Sequence, residues 1–205
     1  MQWLEPITLK GAHANLAPLS HDHHDDLMEA VADGELWKPW YGIVIEPDRM
    51  RAEIARRLDQ AAQGAMLPFT VMSKATGKPV GMTTYLNVDA ANRRLEIGST
   101  WYRKSVQRTA LNTECKLMLL SHAFEAKSSI AVEFRTHFFN QQSSRAIERI
   151  GAKLDGILRN TKVMPNGTLR DHCVYSIIAS EWPTVRAHLH RQLSRPRPGN
   201  PPAGT

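Results

Sequence analysis

Arg94-Leu95-Glu96-Ile97-Gly98-Ser99-Thr100-Trp101-Tyr102, followed after a short connection by Gln107-Arg108-Thr109-Ala110-Leu111-Asn112, is the stretch of this 205-residue chain that decides its fold. Its first part alternates apolar Leu95 and Ile97 with Glu96 and Gly98, the period-two pattern of a strand with one buried face. Gly98 in mid-strand predicts a bulge or the close approach of another chain. Residues 106–126 then carry Leu111, Cys115, Met118, Leu119 and Phe124 over a wide arc, which predicts a helix largely buried against a sheet. The first amides of a helix lack internal acceptors and carry the positive end of its dipole, so the loop entering this helix is an anion site.

Working outward, residues 67–73, 79–88 and 93–102 read as an antiparallel meander whose first two strands are joined by residues 74–78. Residues 4–19 read as extended segments broken at Gly11. Ser20 then caps a helix whose first turns hold Asp22, Asp25 and Asp26. The run His21-Asp22-His23-His24-Asp25-Asp26 suggests metal ligands at first sight. Neighbouring residues on a helix point in different directions, and carboxylates near its start suit the macrodipole, so a helix start is expected and no metal. Pro47 opens a second helix with Met50, Ile54, Leu58, Ala61 and Ala65 at helical spacing. Downstream, residues 130–137 form a strand and residues 141–150 a helix with Asn140 as N-cap and Gly151 as its stop. Residues 152–163 and 168–179 form a closing hairpin turned at Met164-Pro165-Asn166-Gly167. The predicted fold is α/β (α+β), a single domain with a mixed, mostly antiparallel central sheet of about seven strands flanked by about four helices.

Composition sets the limits of this reading. With 42% hydrophobic and 22% charged residues the chain has globular proportions. A domain of this size needs neither disulfides nor metals to hold a core, so Cys115 and Cys173 read as ordinary thiols. Neither a basic, apolar leader nor a membrane-length apolar run is visible, which predicts a cytoplasmic protein with no membrane partner. The net charge of +6 invites a nucleic-acid reading. Half of it, however, lies in residues 180–205, where Arg186, Arg191, Arg195 and Arg197 stand against Glu181. The Pro- and Arg-rich residues 194–205 are expected to be a disordered tail after a domain of residues 1–193. Nucleic acid is therefore a weak candidate, left to a reading in which the tail attaches to RNA.

Four motifs agree in order and spacing: Arg94-Leu95-Glu96-Ile97-Gly98 on a strand, Gln107 to Asn112 opening a helix, Asn140-Gln141-Gln142-Ser143 opening another, and Gly151-Ala152-Lys153-Leu154-Asp155-Gly156 after it. Together they resemble the GNAT superfamily of acyltransferases, and within it the ribosomal-protein N-terminal acetyltransferases and their small-molecule relatives. The resemblance implies a cytoplasmic N-acetyltransferase with acetyl-CoA (coenzyme A) as co-substrate, no metal, a primary amine as acceptor and a possible homodimer. It also implies that the backbone of Gln107, Arg108, Thr109, Ala110, Leu111 and Asn112 holds the coenzyme pyrophosphate, with Arg108 and Arg103 as nearby cations. Ala110 and Asn112 stand where small residues, the first usually Gly, are found in the family. By the same resemblance, Ser99, Thr100 and Trp101 meet the pantetheine arm through backbone groups, Asn140 contacts that arm, and Ser143 lies near the thioester sulfur. Many relatives use a Tyr as acid for the departing thiolate. None stands near Ile147 here, which leaves Ser143 or a water.

Amide formation from a thioester needs a neutral amine, so a base must take its proton. Glu96 matches a glutamate that fills this role in the family; the competing reading is a surface glutamate paired with Arg93 or Arg94. Asn140 and Ser143 are equally a helix cap and a first-turn polar residue. Trp37, Trp40 and Tyr41 either line an acceptor pocket or close the core, and Arg170, with Arg159 and Lys162, would suit an acidic acceptor if turned inward. Cys115 reads as a core thiol, and His122, His137 and His172 as scattered structural or surface residues. A coenzyme-A-binding or ligand-sensing module without catalysis is the alternative function.

Overall fold

A computed structural model describes residues 3–42 and 44–195 of the chain. In chain order the elements are β1 (Leu9–Lys10), β2 (Ala14–Pro18), α1 (His24–Ala32), α2 (Met50–Ala62), β3 (Leu67–Ser73), β4 (Pro79–Asp89) and β5 (Arg94–Tyr102), then α3 (Leu111–Ser121), β6 (Ala131–His137), α4 (Gln141–Arg149), β7 (Lys153–Val163), β8 (Leu169–Ile178) and α5 (Trp182–Ser194). The strands form one sheet in the order β1-β2-β3-β4-β5-β6-β8-β7. Every neighbouring pair is antiparallel except β5 and β6, which α3 connects in parallel.

Alternation divides the strand residues between two cores. On one face Phe69, Val71, Tyr85, Leu95, Ile97, Val132 and Phe134 pack with Leu111, Cys115, Leu119 and Leu120 of α3 and with Trp182, Val185 and Leu189 of α5. On the other, Leu27, Val31, Met50 and Ile54 of the α1–α2 region cover Met82 of β4 and Trp101 of β5. We call these the back and front faces. Beyond β5 the front has no comparable cover, and β7 is exposed along nearly its whole length.

The opening extended segments break at Gly11 as the sequence predicts, where Gly11 N donates to Ala14 O (2.9 Å) in a tight reversal between β1 and β2. A Cβ on Gly11 would lie 2.5 Å from Glu114 Oε2, so the turn presses directly on α3. The central helix starts at Leu111 rather than Val106: a 3₁₀ turn at Lys104–Val106 and a left-handed Arg108 (φ 62°) come first, and its last turn widens into a π segment at His122–Ala126. Finally, α5 is an element the strand and helix count had not included. Its buried Trp182, Val185, Leu189 and Gln192 follow helical spacing. It carries the folded domain to Ser194, and the rest of the expected tail, residues 196–205, lies outside the described residues. At the front, Ser20 caps the first helical turn as expected, accepting from Asp22 N while His23 Nδ1 accepts from Ser20 N.

Candidate active site

The parallel pair β5–β6 is short. Arg94, Leu95 and Glu96 pair with Ala131, Val132 and Glu133; beyond that β5 follows β4, β6 follows β8, and the two strands part. A bulge drives them apart. Thr84 faces Gly98 and Met82 faces Trp101, so Thr83 alone stands opposite Ser99 and Thr100. Ser99 takes the positive φ of 46° that this extra residue requires. The edge of β5 from Ile97 onward is thus a strand edge without a pairing strand, the place where an extended ligand can add by backbone hydrogen bonds.

The mouth of the gap is formed by two helix starts. At the first, Gln107 Nε2 donates to Tyr102 O (2.9 Å), Thr109 Oγ1 donates to Val106 O (2.7 Å), and the cap residue Ala110 makes no side-chain cap bond to the first turn of α3. Ala110 has φ −66°, so a Cβ is tolerated where the family more often has Gly. At the second, Asn140 Oδ1 accepts from Ser143 N (3.1 Å), fulfilling its capping role, and Ser143 is half-buried. Gln142 Nε2 reaches Gln107 Oε1 (3.5 Å) and brings the two starts together. Arg108 is exposed beside this mouth, whereas Arg103 is not available there: it pairs with Asp33 (2.9 Å) and Glu29 (3.4 Å) of the α1 region. Beside the same loop, a cavity of about 400 Å³ is bordered by His13, Lys74, Ser105 and Thr109.

Behind the gap lies a residue absent from the sequence expectations. Lys116 of α3 is buried, donates to Thr100 Oγ1 (3.0 Å) and stands 5.8 Å from the centre of the Phe134 ring, so it bridges the parted strands. Thr100 Oγ1 in turn lies 2.7 Å from Thr83 Oγ1. Burial lowers the Lys116 ammonium to about 8. The signal in the sequence was a lysine inside the apolar arc of α3, between Cys115 and Leu119.

In front of the gap sits Glu96, 6% exposed. Its Oε2 accepts from Asn87 Nδ2 (2.7 Å) and lies 3.5 Å from Arg135 Nε. The pairing anticipated with Arg93 or Arg94 does not form, since Arg94 is held by Glu133 (2.7 Å). Burial raises the Glu96 carboxyl, against the opposing pull of Arg135 and Asn87. A Cβ on Gly98 would come within 2.7 Å of Glu96 Oε1, so this glycine leaves room for the carboxyl. Asn87, Asp89, Arg94, Glu133 and Arg135 complete a cavity of about 170 Å³ around it.

The aromatic loop divides its residues between the two readings. Trp37 packs on the front core, while Trp40 is half-exposed and meets the rings of His137 (5.3 Å) and Phe139 (5.7 Å). Tyr41 is held by its carbonyl, which accepts from Arg170 Nη1 (3.0 Å). Arg170 is buried and also donates from Nε to His172 Nε2 (2.7 Å), so it anchors the loop. Arg159 is bound to Asp171 (2.6 Å). His137 and His172 are not scattered: they are register partners across β6 and β8. Burial and the neighbouring Arg170 lower His172 to about 4. His137 Nδ1 accepts from Phe139 N (3.1 Å), which leaves the proton on a buried Nε2 without a partner. Cys115 is a buried thiol pushed up to about 12, as a core role requires.

Residues 13–153, which contain the bulge, the splayed pair and both helix starts, match the acetyltransferase (GNAT) domain. The chain belongs to the GNAT acetyltransferase family. Among solved GNAT structures, a GCN5-related N-acetyltransferase from Brucella melitensis is 30% identical, with TM-score 0.84 over 93% of this chain and 86% of the other. Mycobacterium smegmatis RimJ, solved in complex with CoA-disulfide, is 23% identical and shares the fold at TM-score 0.77, over 91% of this chain and 95% of its own. A Bacillus subtilis protein, YdaF, whose curated name proposes a ribosomal N-acetyltransferase, is 31% identical over 106 residues. That match spans 52% of this chain and 57% of YdaF, little more than half of the relative's length.

Proposed function

We propose that the protein transfers an acetyl group from acetyl-CoA to a primary amine, on a protein N-terminus or a small molecule, by direct attack within a ternary complex. The observation that carries this reading is the gap between β5 and β6, with an unpaired strand edge along one side and, at its mouth, a helix start whose cap residue Ala110 offers no side-chain acceptor. The chemistry of the co-substrate fits these groups. Pantetheine amides suit the strand edge at Ser99, Thr100 and Trp101, and the pyrophosphate suits the helix start at residues 107–112. The ribosomal name given to YdaF and the coenzyme held by RimJ support the same reading.

Glu96 is the base. Its raised carboxyl accepts a proton from the acceptor's ammonium, freeing the amine to attack, more readily than an exposed one, and Asn87 and Arg135 hold it at the front of the gap. The oxyanion formed on attack is met by a backbone N–H near Thr100. Asn140 orders the start of α4, which presents Ser143 toward the sulfur of the thioester. The acceptor enters over the front face, between the Glu96 cavity and the Trp40–Tyr41 loop. A cytoplasmic location and a homodimer belong to the same proposal; no helix among the described residues is long and apolar enough to cross a membrane.

Calorimetric titration with coenzyme A and acetyl-CoA, followed by an amine screen, tests it. Micromolar binding with turnover on at least one amine is the expected result. Binding without turnover on any amine would favour the sensing module, and no binding would remove the reading.

A further inference from the structure

We infer that Lys116 is a positioning residue for acyl transfer, holding a positive charge through Thr100 against the thioester in the gap between β5 and β6. The inference rests on the acyl-CoA reading above and adds a residue to it.

An ammonium carries three N–H donors, and the hydrogen bond to Thr100 Oγ1 uses one. Among the described residues no carboxylate forms an ion pair with Lys116. The group that acts on it electrostatically is the thiol of Cys115, on its own helix. The side chains facing it from the sheet are uncharged: Thr83 of β4, Thr100 of β5 and Phe134 of β6. Tyr102, also on β5, brings only a neutral, buried hydroxyl to the neighbourhood of Cys115. A buried charge with no partner is costly in the free protein. It is useful where negative charge arrives during the reaction.

Acyl transfer brings negative charge to this place. The amine nitrogen forms a bond to the thioester carbon and pushes an electron pair onto the carbonyl oxygen. That pair re-forms the carbonyl as the C–S bond breaks, and sulfur leaves with the bonding electrons. Glu96 takes the amine proton at the front and returns it to solvent, and the sulfur takes a proton from Ser143 or a water to leave as a thiol. Lys116 stays protonated throughout. It lies behind the gap, across from Glu96, so the two charges flank the reacting bonds without neutralising each other. The chain from Lys116 to Thr100 to Thr83 also ties α3 to the bulge that creates the gap.

The test is Lys116→Met, which keeps the length of the side chain and removes its charge, assayed with the amine found in the screen. The kcat should fall by about 100-fold, with the KM for the amine nearly unchanged. The wild-type rate should decline as pH rises past about 8, where Lys116 loses its proton, and the variant should lack that decline. Thr100→Val should also remove the alkaline decline while Lys116 remains. The thermal midpoint of Lys116→Met should equal or exceed that of the wild type, because an unpaired buried charge is gone. A variant with wild-type kcat and pH profile overturns the inference. So does a loss of kcat that comes with a lower midpoint and an unchanged profile, the mark of a structural role. Failure of the wild type to bind acyl-CoA overturns the acyl-CoA reading and this inference together, whereas normal turnover in both proteins overturns this inference alone.

Discussion

Glu96 occupies a strand position where most side chains would simply point to solvent, and three neighbours change its chemistry. Asn87 and Arg135 hold one oxygen, Gly98 makes room for the other, and burial raises the carboxyl above its ordinary value of 4.5. In the proposed mechanism the ionised form is the base, so the rate should fall as pH drops through this raised value, and the acid limb should lie above the usual carboxylate range. Glu96→Gln should lower kcat by roughly 10²–10⁴-fold and abolish that limb while acetyl-CoA binding persists. Steady-state profiles from pH 5 to 9 in parallel with calorimetry check both halves. Lys116 is the opposite case: burial depresses its pKa, so its ammonium form destabilises the fold below about 8, and stability should rise between there and the unfolded value of 10.5.

At the scale of the element, α3 is the piece that joins sheet, coenzyme loop and core. Its Glu114 accepts from three successive backbone amides of the β1–β2 turn, Ala12 (2.7 Å), His13 (2.7 Å) and Ala14 (2.9 Å). Glu114→Ala should leave these donors without an acceptor and cost about 3 kcal/mol, measured as a lower urea midpoint with an unchanged slope. The same helix shows why sequence boundaries failed at its start. Residues 106–110 continue the apolar pattern, but the left-handed Arg108 and the 3₁₀ turn before it are imposed by contacts to Tyr102, Asp33 and the sheet. Local propensity has no term for such contacts. In α5, Trp182, Val185 and Leu189 stand at helical spacing, yet the sequence reading ended at the hairpin before it. What they pack against, Phe124 and the back core, is distant in sequence.

For the whole molecule, α3 and α5 cover the back of the sheet from β2 to β8, whereas α1 and α2 cover the front only as far as β5, and the parted strands lie where that front cover ends. A ligand seated there touches β5, α3 and α4 together, so binding should stabilise the domain as a unit. At a concentration 100 times Kd, acetyl-CoA should add about 2.7 kcal/mol and raise the thermal midpoint by roughly 5–10 °C. Glu96→Gln should retain that shift, and a scanning fluorimetry series in coenzyme concentration measures it.

The order of strands and helices up to β8, the meander, the closing hairpin and the capped start at Ser20 were all determined by the sequence alone. They depend on periodicity and capping, which act within a few residues. Gly98 announced a bulge, but its exact place at Ser99, the commitment of Arg103 to α1 and of Arg170 to Tyr41, the pairing of His137 with His172, and the burial of Lys116 behind the gap were decided only in the tertiary structure. Each depends on which chemically ordinary side chain comes to stand opposite which, across separations of up to 129 residues, and neither propensity nor spacing encodes that.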